Sequence, residues 1–325
     1  MKSAIIGLGV IANLHVDAIK DAGGQIVAVC DIDVDKAKAF VLKHNLSARI
    51  YEDYKTLIDC EALDVVHVCT PHYLHADMSV YALEKNVNVL CEKPICIDRL
   101  DFKRILLAEK NSKAQLGVCF QNRYKNTNKF VCDLIKNQTR VSAVAIVAWN
   151  RGESYYASGE WRGKKATEGG AALINQAIHT LDLMLSFCGL PVKVQAMEDN
   201  FHLQGVIDVE DVITFKIETE KGGFIMTATT ASVSDMPVLI QIRTPDYKIV
   251  MDGNDVYVNG EKVLIEQDDG YAIKPCYGLG HYPLVQDFYD CITQGKKFAL
   301  DASDGIKVID AVLSIYESAE KVKNL

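Results

Sequence analysis

Four short stretches of this chain carry residue types whose order could do chemistry. The first is Gly7-Leu8-Gly9-Val10-Ile11-Ala12, a G-x-G-x-x-A pattern that follows an apolar run and opens a segment of helical spacing. Glycines in such a turn let backbone N–H groups approach a pyrophosphate, whose charge the helix N-terminus stabilises. Asp31 closes the second apolar run, where a carboxylate accepts from ribose hydroxyls and repels a 2′-phosphate. Gly7, Leu8, Gly9, Val10, Ile11 and Asp31 are therefore expected to hold a dinucleotide, NAD in preference to NADP.

The second stretch runs from Val65 to His75, an apolar strand pattern followed by Thr70-Pro71-His72-Tyr73-Leu74-His75. Pro71 suits the first turn of a following helix. His72 and His75 are three apart, but no acidic or cysteine partner lies nearby in the sequence, so no metal site is expected. They are read instead as lining a cleft at the strand ends. The third stretch, Cys91-Glu92-Lys93-Pro94, sets a Glu-Lys pair just past another apolar run, which gives Lys93 a catalytic reading. In the fourth, Trp161-Arg162 precedes Glu168-Gly169-Gly170 and a long apolar segment. Asn175, His179 and Asp182 fall there at i, i+4 and i+7, on one face of a helix. A polar stripe on a buried helix needs partners or a cleft to face.

These residues need elements to hold them. Short β-branched runs at 3–7, 25–31, 64–69, 88–91 and 115–119 alternate with helical spacing at 11–21, 34–45, 72–85 and 98–111. Strands apolar nearly throughout are buried on both faces, so residues 1–121 are predicted to form a doubly wound parallel sheet of the Rossmann type. The pattern then changes. A helix near 127–137, a strand at 141–150, a polar loop at 151–167 and a helix at 171–187 lead into strand-like runs from 192 to 265. Turn signals such as Lys221-Gly222-Gly223 and Asn259-Gly260 separate several of them. Two helices, 281–294 and 302–323, close the chain. Residues 122–325 are thus predicted to be an α+β domain with a large, mostly antiparallel open sheet.

Composition sets the limits. The 325 residues are 49% hydrophobic and 24% charged, ordinary values for a folded protein, with a net charge of −8 and no long basic run to suggest nucleic acid. No run of about 18 apolar residues suggests a membrane span, and the N-terminus turns to glycine too early for a secretory signal. A cytoplasmic protein is expected. The 10 cysteines include no C-x-x-C pair, and several sit inside apolar runs, so they read as small buried hydrophobes.

Taken together, G-x-G-x-x-A, Glu92-Lys93-Pro94, Trp161-Arg162 and the Asn175/His179 helix resemble the glucose–fructose oxidoreductase and inositol dehydrogenase (Gfo/Idh/MocA) family. The closing Gly280-His281, Asp287-Phe288 and Ile315-Tyr316-Glu317 extend the likeness over essentially the whole chain. The resemblance implies hydride transfer between NAD(P) and a secondary alcohol or ketone carbon of a sugar, cyclitol or sugar derivative. It implies that Lys93 and His179 form an acid/base pair. Asn175 stands where inositol-dehydrogenase-like members carry aspartate, a departure that removes a proton acceptor. Thr70, Pro71, Leu74, His75, Glu92 and Lys93 match the stretch beside the nicotinamide half, as does Arg123. Trp161 and Arg162 match a pair bordering the cleft. Lys93, Tyr124, Asn175 and His179 are the implied substrate contacts. The family's open sheet implies a homodimer or homotetramer.

A histidine titrates near about 6.5, which suits His179 as the primary acid/base, with Lys93 polarising the oxygen. The reverse assignment stays open. So do two other classes: an enzyme that retains NAD through a non-redox sugar reaction, such as a glycosidase, and a silent NAD(P)/sugar sensor. Loops 151–168 and 268–280 are expected to shape the pocket, with Tyr155, Tyr156, Tyr271 and Tyr277 as stacking groups or hydroxyl donors, or else as subunit contacts.

Overall fold

β-Branched, apolar strands and amphipathic helices alternate along the first third of the chain. In order they are β1 (Lys2–Ile6), α1 (Ala12–Asp21), β2 (Gln25–Cys30), α2 (Val34–Lys43), β3 (Arg49–Tyr51), α3 (Tyr54–Cys60), β4 (Val65–Val68), α4 (His75–Glu84), β5 (Asn88–Cys91), α5 (Leu100–Asn111) and β6 (Leu116–Val118). The structure, a computed structural model, describes residues 1–266 and 280–323. The expected Tyr271 and Tyr277, and nearly all of loop 268–280, lie outside the described residues. All six strands pair in parallel in the order β3-β2-β1-β4-β5-β6. The winding reverses between β1 and β4, which opens a crevice at the strands' carboxyl ends. The central strands are buried on both faces, as their unbroken apolar runs require: Ala4, Ile5, Val65, Val66, Val89 and Leu90 are each 0% exposed.

The second half begins with α6 (Asn126–Ile135) and β7 (Val141–Ala148), passes the short α7 (Glu153–Tyr156), and continues through α8 (Ile178–Cys188). Then follow β8 (Pro191–Asp199), β9 (Val212–Thr219), β10 (Gly222–Thr229), β11 (Leu239–Arg243), β12 (Lys248–Asp252), β13 (Asp255–Val258) and β14 (Glu261–Val263). The eight strands run β14-β13-β12-β11-β7-β10-β9-β8, antiparallel throughout except where β10 lies parallel to β7. Side chains alternate across this sheet. Phe224 and Met226 are buried and Ile225 between them is 46% exposed, joined on the outer face by Val144 at 45% and Ile146 at 40%.

The chain divides into two units, but not into the two consecutive segments the sequence suggests. Unit 1 is Met1–Tyr124 with the described part of Gly270–Ile306; unit 2 is the described part of Lys125–Asp269 with Lys307–Leu325. Helix α9 (His281–Gln294) therefore belongs with the parallel sheet, and α10 (Ala302–Lys323) runs from one unit into the other. The reason is packing. Phe288 and Phe298 lie against Gly117 of β6, and Val118 N–H donates to the Leu300 carbonyl at 2.9 Å. The predicted helix 171–187 is also corrected: Ala172–Ala177 is a π-turn and α8 starts only at Ile178. β3 and α3 are further elements that the periodicity of the sequence does not announce.

Candidate functional site

In unit 1 the strand ends gather the motifs. Gly7 N–H donates to the Cys30 carbonyl, Cys69 N–H to Ile6 and Glu92 N–H to Val68, at 2.8, 2.8 and 2.9 Å. Parallel register thus delivers Gly7, Asp31, Thr70 and Lys93 to one carboxyl edge. Gly7 holds φ +87°, and a Cβ there would lie 2.7 Å from Thr70 Cγ2, so only glycine turns the chain this close to β4. Gly9 is different: nothing lies within 4 Å of where its Cβ would be. No side chain caps the following helix N-terminus and its first turn holds no acidic residue. An open backbone cradle on an uncapped helix N-terminus fits a dinucleotide pyrophosphate.

Asp31 is buried at the end of β2. It accepts from Leu8 N–H at 2.9 Å, Asp33 N–H at 3.1 Å and Lys36 Nζ at 2.7 Å. Burial pushes its carboxyl up, but these donors outweigh it and hold the pKa below the ordinary value. Lys36 is not legible in the motif, and it places a cation beside the Asp31 carboxylate.

The Lys93–Pro94 peptide is cis, and Lys93 is half-buried. Behind it Glu92 is 5% exposed and anchors a chain of buried hydrogen bonds. His15 Nε2 and His281 Nε2 lie 3.0 and 3.2 Å from Glu92 Oε1; His15 Nδ1 lies 2.8 Å from His67 Nδ1; His67 Nε2 lies 2.9 Å from Tyr289 Oη; and Ser3 Oγ lies 2.6 Å from Tyr289 Oη. A carboxylate only accepts, so His15 Nε2 donates to Glu92, and the tautomers of His15 and His67 set the direction of the links on to Tyr289 and Ser3. Burial pushes the Glu92 carboxyl up, yet donation from His15 and His281 holds it well below the usual range. Burial and the neighbouring His15 push His67 well below its ordinary value. The donor atoms of His15, Glu92 and His281 lie within 4.8 Å of one another, a spacing that could also hold a metal ion. Neither His15 nor His67 stands out from the sequence by pattern. The available signal is a histidine inside a strand whose other positions are apolar, because such a group must find partners.

His75 is 0% exposed, and its ring nitrogens lie 2.6 Å from the Pro94 carbonyl and 2.8 Å from that of Thr70. It thereby ties the segment after β4 to the one carrying Lys93. Thr70 Oγ1 donates to Met78 Sδ at 3.4 Å. Arg123 pairs with Asp304 at 3.3 Å and the Tyr124 hydroxyl donates to Asp287 at 2.5 Å.

Unit 2 builds its polar group from a loop and the π-turn. Glu168 is 0% exposed; it accepts from Gly163 N–H and from Asn175 Nδ2. Asn175 Nδ2 also reaches the Tyr155 hydroxyl at 3.2 Å. Arg162 lies 4.5 Å from the Tyr155 ring centroid and 4.6 Å from that of Trp161. Buried Glu210 accepts from Leu173 N–H at 3.0 Å, from Ala171 N–H at 3.1 Å and from the Tyr316 hydroxyl at 2.8 Å. Burial outweighs these donors and raises its pKa to about 7. Gly170, at φ +152°, is needed because a Cβ would fall on Tyr316. Asn175 therefore lies in the π-turn and His179 in the first turn of α8, so the even helical spacing expected of them is broken. Tyr156 packs with Ala171, Leu203 and Ile207 as a core residue rather than a pocket group. Glu168 and Glu210 are missed by motif reading; a glutamate directly before Gly169-Gly170 was the signal for the first.

A Rossmann sheet with this glycine turn and Asp31, joined to a second unit with an open sheet, defines a class of nucleotide-dependent oxidoreductases. Residues 1–120 match a family model described as "Oxidoreductase family, NAD-binding Rossmann fold", and residues 140–256 match the "GFO/IDH/MocA C-terminal domain". The chain belongs to the GFO/IDH/MocA oxidoreductase family. It is 36% identical over 127 residues to inositol 2-dehydrogenase of Salmonella typhimurium, a match spanning 38% of each chain. It is 24% identical to D-glucoside 3-dehydrogenase of Escherichia coli over 98% of this chain and 95% of that one. Among solved structures, the WlbA dehydrogenase of Bordetella pertussis in complex with NADH and UDP-GlcNAcA superposes with a TM-score of 0.86. Identity there is 22%, covering 98% of this chain and 96% of the other. A levoglucosan dehydrogenase in complex with NADH and levoglucosan gives 0.86 at 20% identity, covering 99% and 97%.

Proposed function

We propose that this protein transfers a hydride between NAD and a secondary alcohol or ketone carbon of a sugar, cyclitol or sugar derivative. The observation that carries the reading is the carboxyl edge of unit 1, where an open glycine cradle, Asp31 and Lys93 arrive on adjacent strand ends. Gly7, Leu8, Gly9, Val10 and Ile11 would bind the pyrophosphate, and Asp31 the adenosine ribose. Thr70, Pro71, Leu74, His75, Glu92, Lys93, Arg123, Trp161 and Arg162 would serve the rest of the cofactor. The nicotinamide supplies the hydride acceptor. His179 takes the proton of the substrate hydroxyl, and the Lys93 ammonium stabilises the charge left on that oxygen. Asn175 orients a hydroxyl rather than taking a proton, since its amide nitrogen is engaged by Glu168 and Tyr155. The sugar and polyol dehydrogenases among its relatives support the substrate class, and Tyr124 is proposed as a further substrate contact.

NAD is the proposed cofactor because a carboxylate at Asp31 would accept from ribose hydroxyls and repel a 2′-phosphate, although Lys36 beside it narrows the margin against NADP. The outer face bearing Val144, Ile146 and Ile225 is the proposed contact of a homodimer or homotetramer, since apolar sheet faces of this kind are normally covered. A sedimentation profile showing only the monomer at micromolar concentration would remove that claim. No disulfide joins the described cysteines, in keeping with a reducing compartment such as the cytoplasm. No described helix is long and apolar enough to cross a membrane.

The test of function is NAD reduction across aldoses, glucosides, inositols and sugar acids. Turnover of at least one with a dissociable cofactor is expected. A purified protein carrying stoichiometric, non-exchanging NAD, and turning over none of them, sinks the dehydrogenase reading.

A further inference from the structure

The Tyr155 hydroxyl receives more donors than a phenol can accept while keeping its proton for the protein. Arg162 Nη1 lies 2.5 Å from it, Gln176 Nε2 2.9 Å and Asn175 Nδ2 3.2 Å. Both amides are fixed in orientation. Gln176 Oε1 accepts from Arg151 Nε at 2.9 Å, which turns its NH₂ toward Tyr155, and Asn175 must offer its NH₂ to the Glu168 carboxylate. All three groups therefore donate, against two lone pairs on the oxygen. Among the described residues none accepts the Tyr155 proton. Burial raises the pKa of this phenol, with Arg162 and Arg151 acting against that and Glu168 for it, so the hydroxyl stays protonated. Tyr155 is half-buried, and one donor to it is cationic, which polarises the O–H and makes it a stronger donor than an isolated phenol.

We propose that Tyr155 is a further substrate-contacting residue: its hydroxyl, saturated from behind by Arg162, Gln176 and Asn175, gives its proton in a hydrogen bond to an oxygen of the carbohydrate. The inference rests on the proposed dehydrogenase reading and adds a specificity-determining group to it. No proton is transferred; Tyr155 orients, and the oxygen it meets is a hydroxyl oxygen of the carbohydrate, which accepts through a lone pair.

The experiment pairs Tyr155→Phe with monodeoxy analogues of D-glucose, methyl glucoside or myo-inositol, whichever the wild type turns over. Tyr155→Phe should lower kcat/KM about 10-fold, the scale of one polarised hydrogen bond left unmade, without changing NAD affinity. For the one analogue lacking the contacted oxygen, the substitution should cost nothing further. An equal penalty on every analogue, or no penalty, overturns the proposal. Gln176→Glu serves as the second variant, should the first fail to fold. It keeps the ring but sets a carboxylate acceptor beside the hydroxyl, drawing the proton inward, and should reproduce the same analogue-dependent loss. If the wild type turns over none of these sugars, the same panel is read by tryptophan fluorescence of the NADH-loaded protein. A sugar that binds without turnover, and more weakly in Tyr155→Phe, supports the contact while the dehydrogenase reading falls. Binding that is absent, or equal in the two proteins, overturns both.

Discussion

The two units hold their chemical residues in opposite ways. Unit 1 places Asp31 and Lys93 at the ends of parallel strands and backs them with a buried hydrogen-bonded chain, Tyr289, His67 and His15, ending on the ionised Glu92. Unit 2 places Asn175 in a π-turn and Tyr155 in the single turn of α7, backed by the buried carboxylates Glu168 and Glu210. Strand ends are fixed by the sheet register, so the first group needs little local support. Residues in such short turns have no ladder to fix them, and each is held by several side-chain hydrogen bonds instead. Precision in unit 1 comes from backbone topology, and in unit 2 from side-chain bonding.

Removing chemistry from either unit should have the largest effect. Lys93→Ala and His179→Ala are each expected to lower kcat by about 10²-fold or more while NAD affinity survives, measured by single-turnover formation of reduced nicotinamide. If both act on one oxygen, the double variant should lose much less than the product of the two losses. Wild-type hydride transfer in His179→Ala would leave the chemistry to unit 1 alone.

Acidity sharpens the contrast. His67, His75 and His281 have pKa values lowered by burial, so the unfolded chain takes up protons first as pH falls below about 6.5, and unit 1 loses stability from there downward. Glu92, also lowered, adds to that loss only as pH falls through the ordinary carboxylate range. Glu210 works the other way. Its folded pKa of about 7 against an ordinary glutamate value of 4.5 means that its contribution is full below 4.5 and is lost as pH rises to about 7. Hydrogen exchange corrected for intrinsic rates should show β1, β4 and β5 losing protection between pH 7 and pH 5. The amides of α8 and β9 should hold or gain. A uniform change across both units would break the comparison.

The smallest effect expected concerns the cofactor. Asp31→Ala should narrow the preference for NAD over NADP by several-fold, and Lys36→Ala should widen it, since the two side chains carry opposite charges to the same site. Dissociation constants of both nucleotides for the three proteins check this. Tighter NADP binding by the wild type would contradict it.

What the sequence discloses follows the same division. Gly7, Asp31 and the Glu92-Lys93 pair are legible because each depends on a strand and a turn within a few residues of itself. The chain from Ser3 through His67 and His15 to Glu92 is not, because its members are joined only by tertiary packing. Its link Tyr289 lies 222 residues from His67. Spacing alone puts Asn175 and His179 on one helix face. That spacing gives way because Glu210 takes the Ala171 and Leu173 N–H groups and the turn widens, so that both Asn175 and Gln176 N–H reach back to the Ala171 carbonyl. A buried acceptor 39 residues downstream of Ala171 leaves no mark on local periodicity.

The return of α9 to the first unit bears on the order in which the protein is made. A ribosome releases β1 through β6 long before Tyr289, Phe288 and Phe298 emerge, so the nascent parallel sheet waits with Gly117 uncovered and with the His67 and Ser3 bonds to Tyr289 unmade. During that interval the open-sheet strands of unit 2 are synthesised and can pair among themselves. The Rossmann unit, first in the sequence, thus cannot finish before α9 is made, and the intervening residues work against an early close.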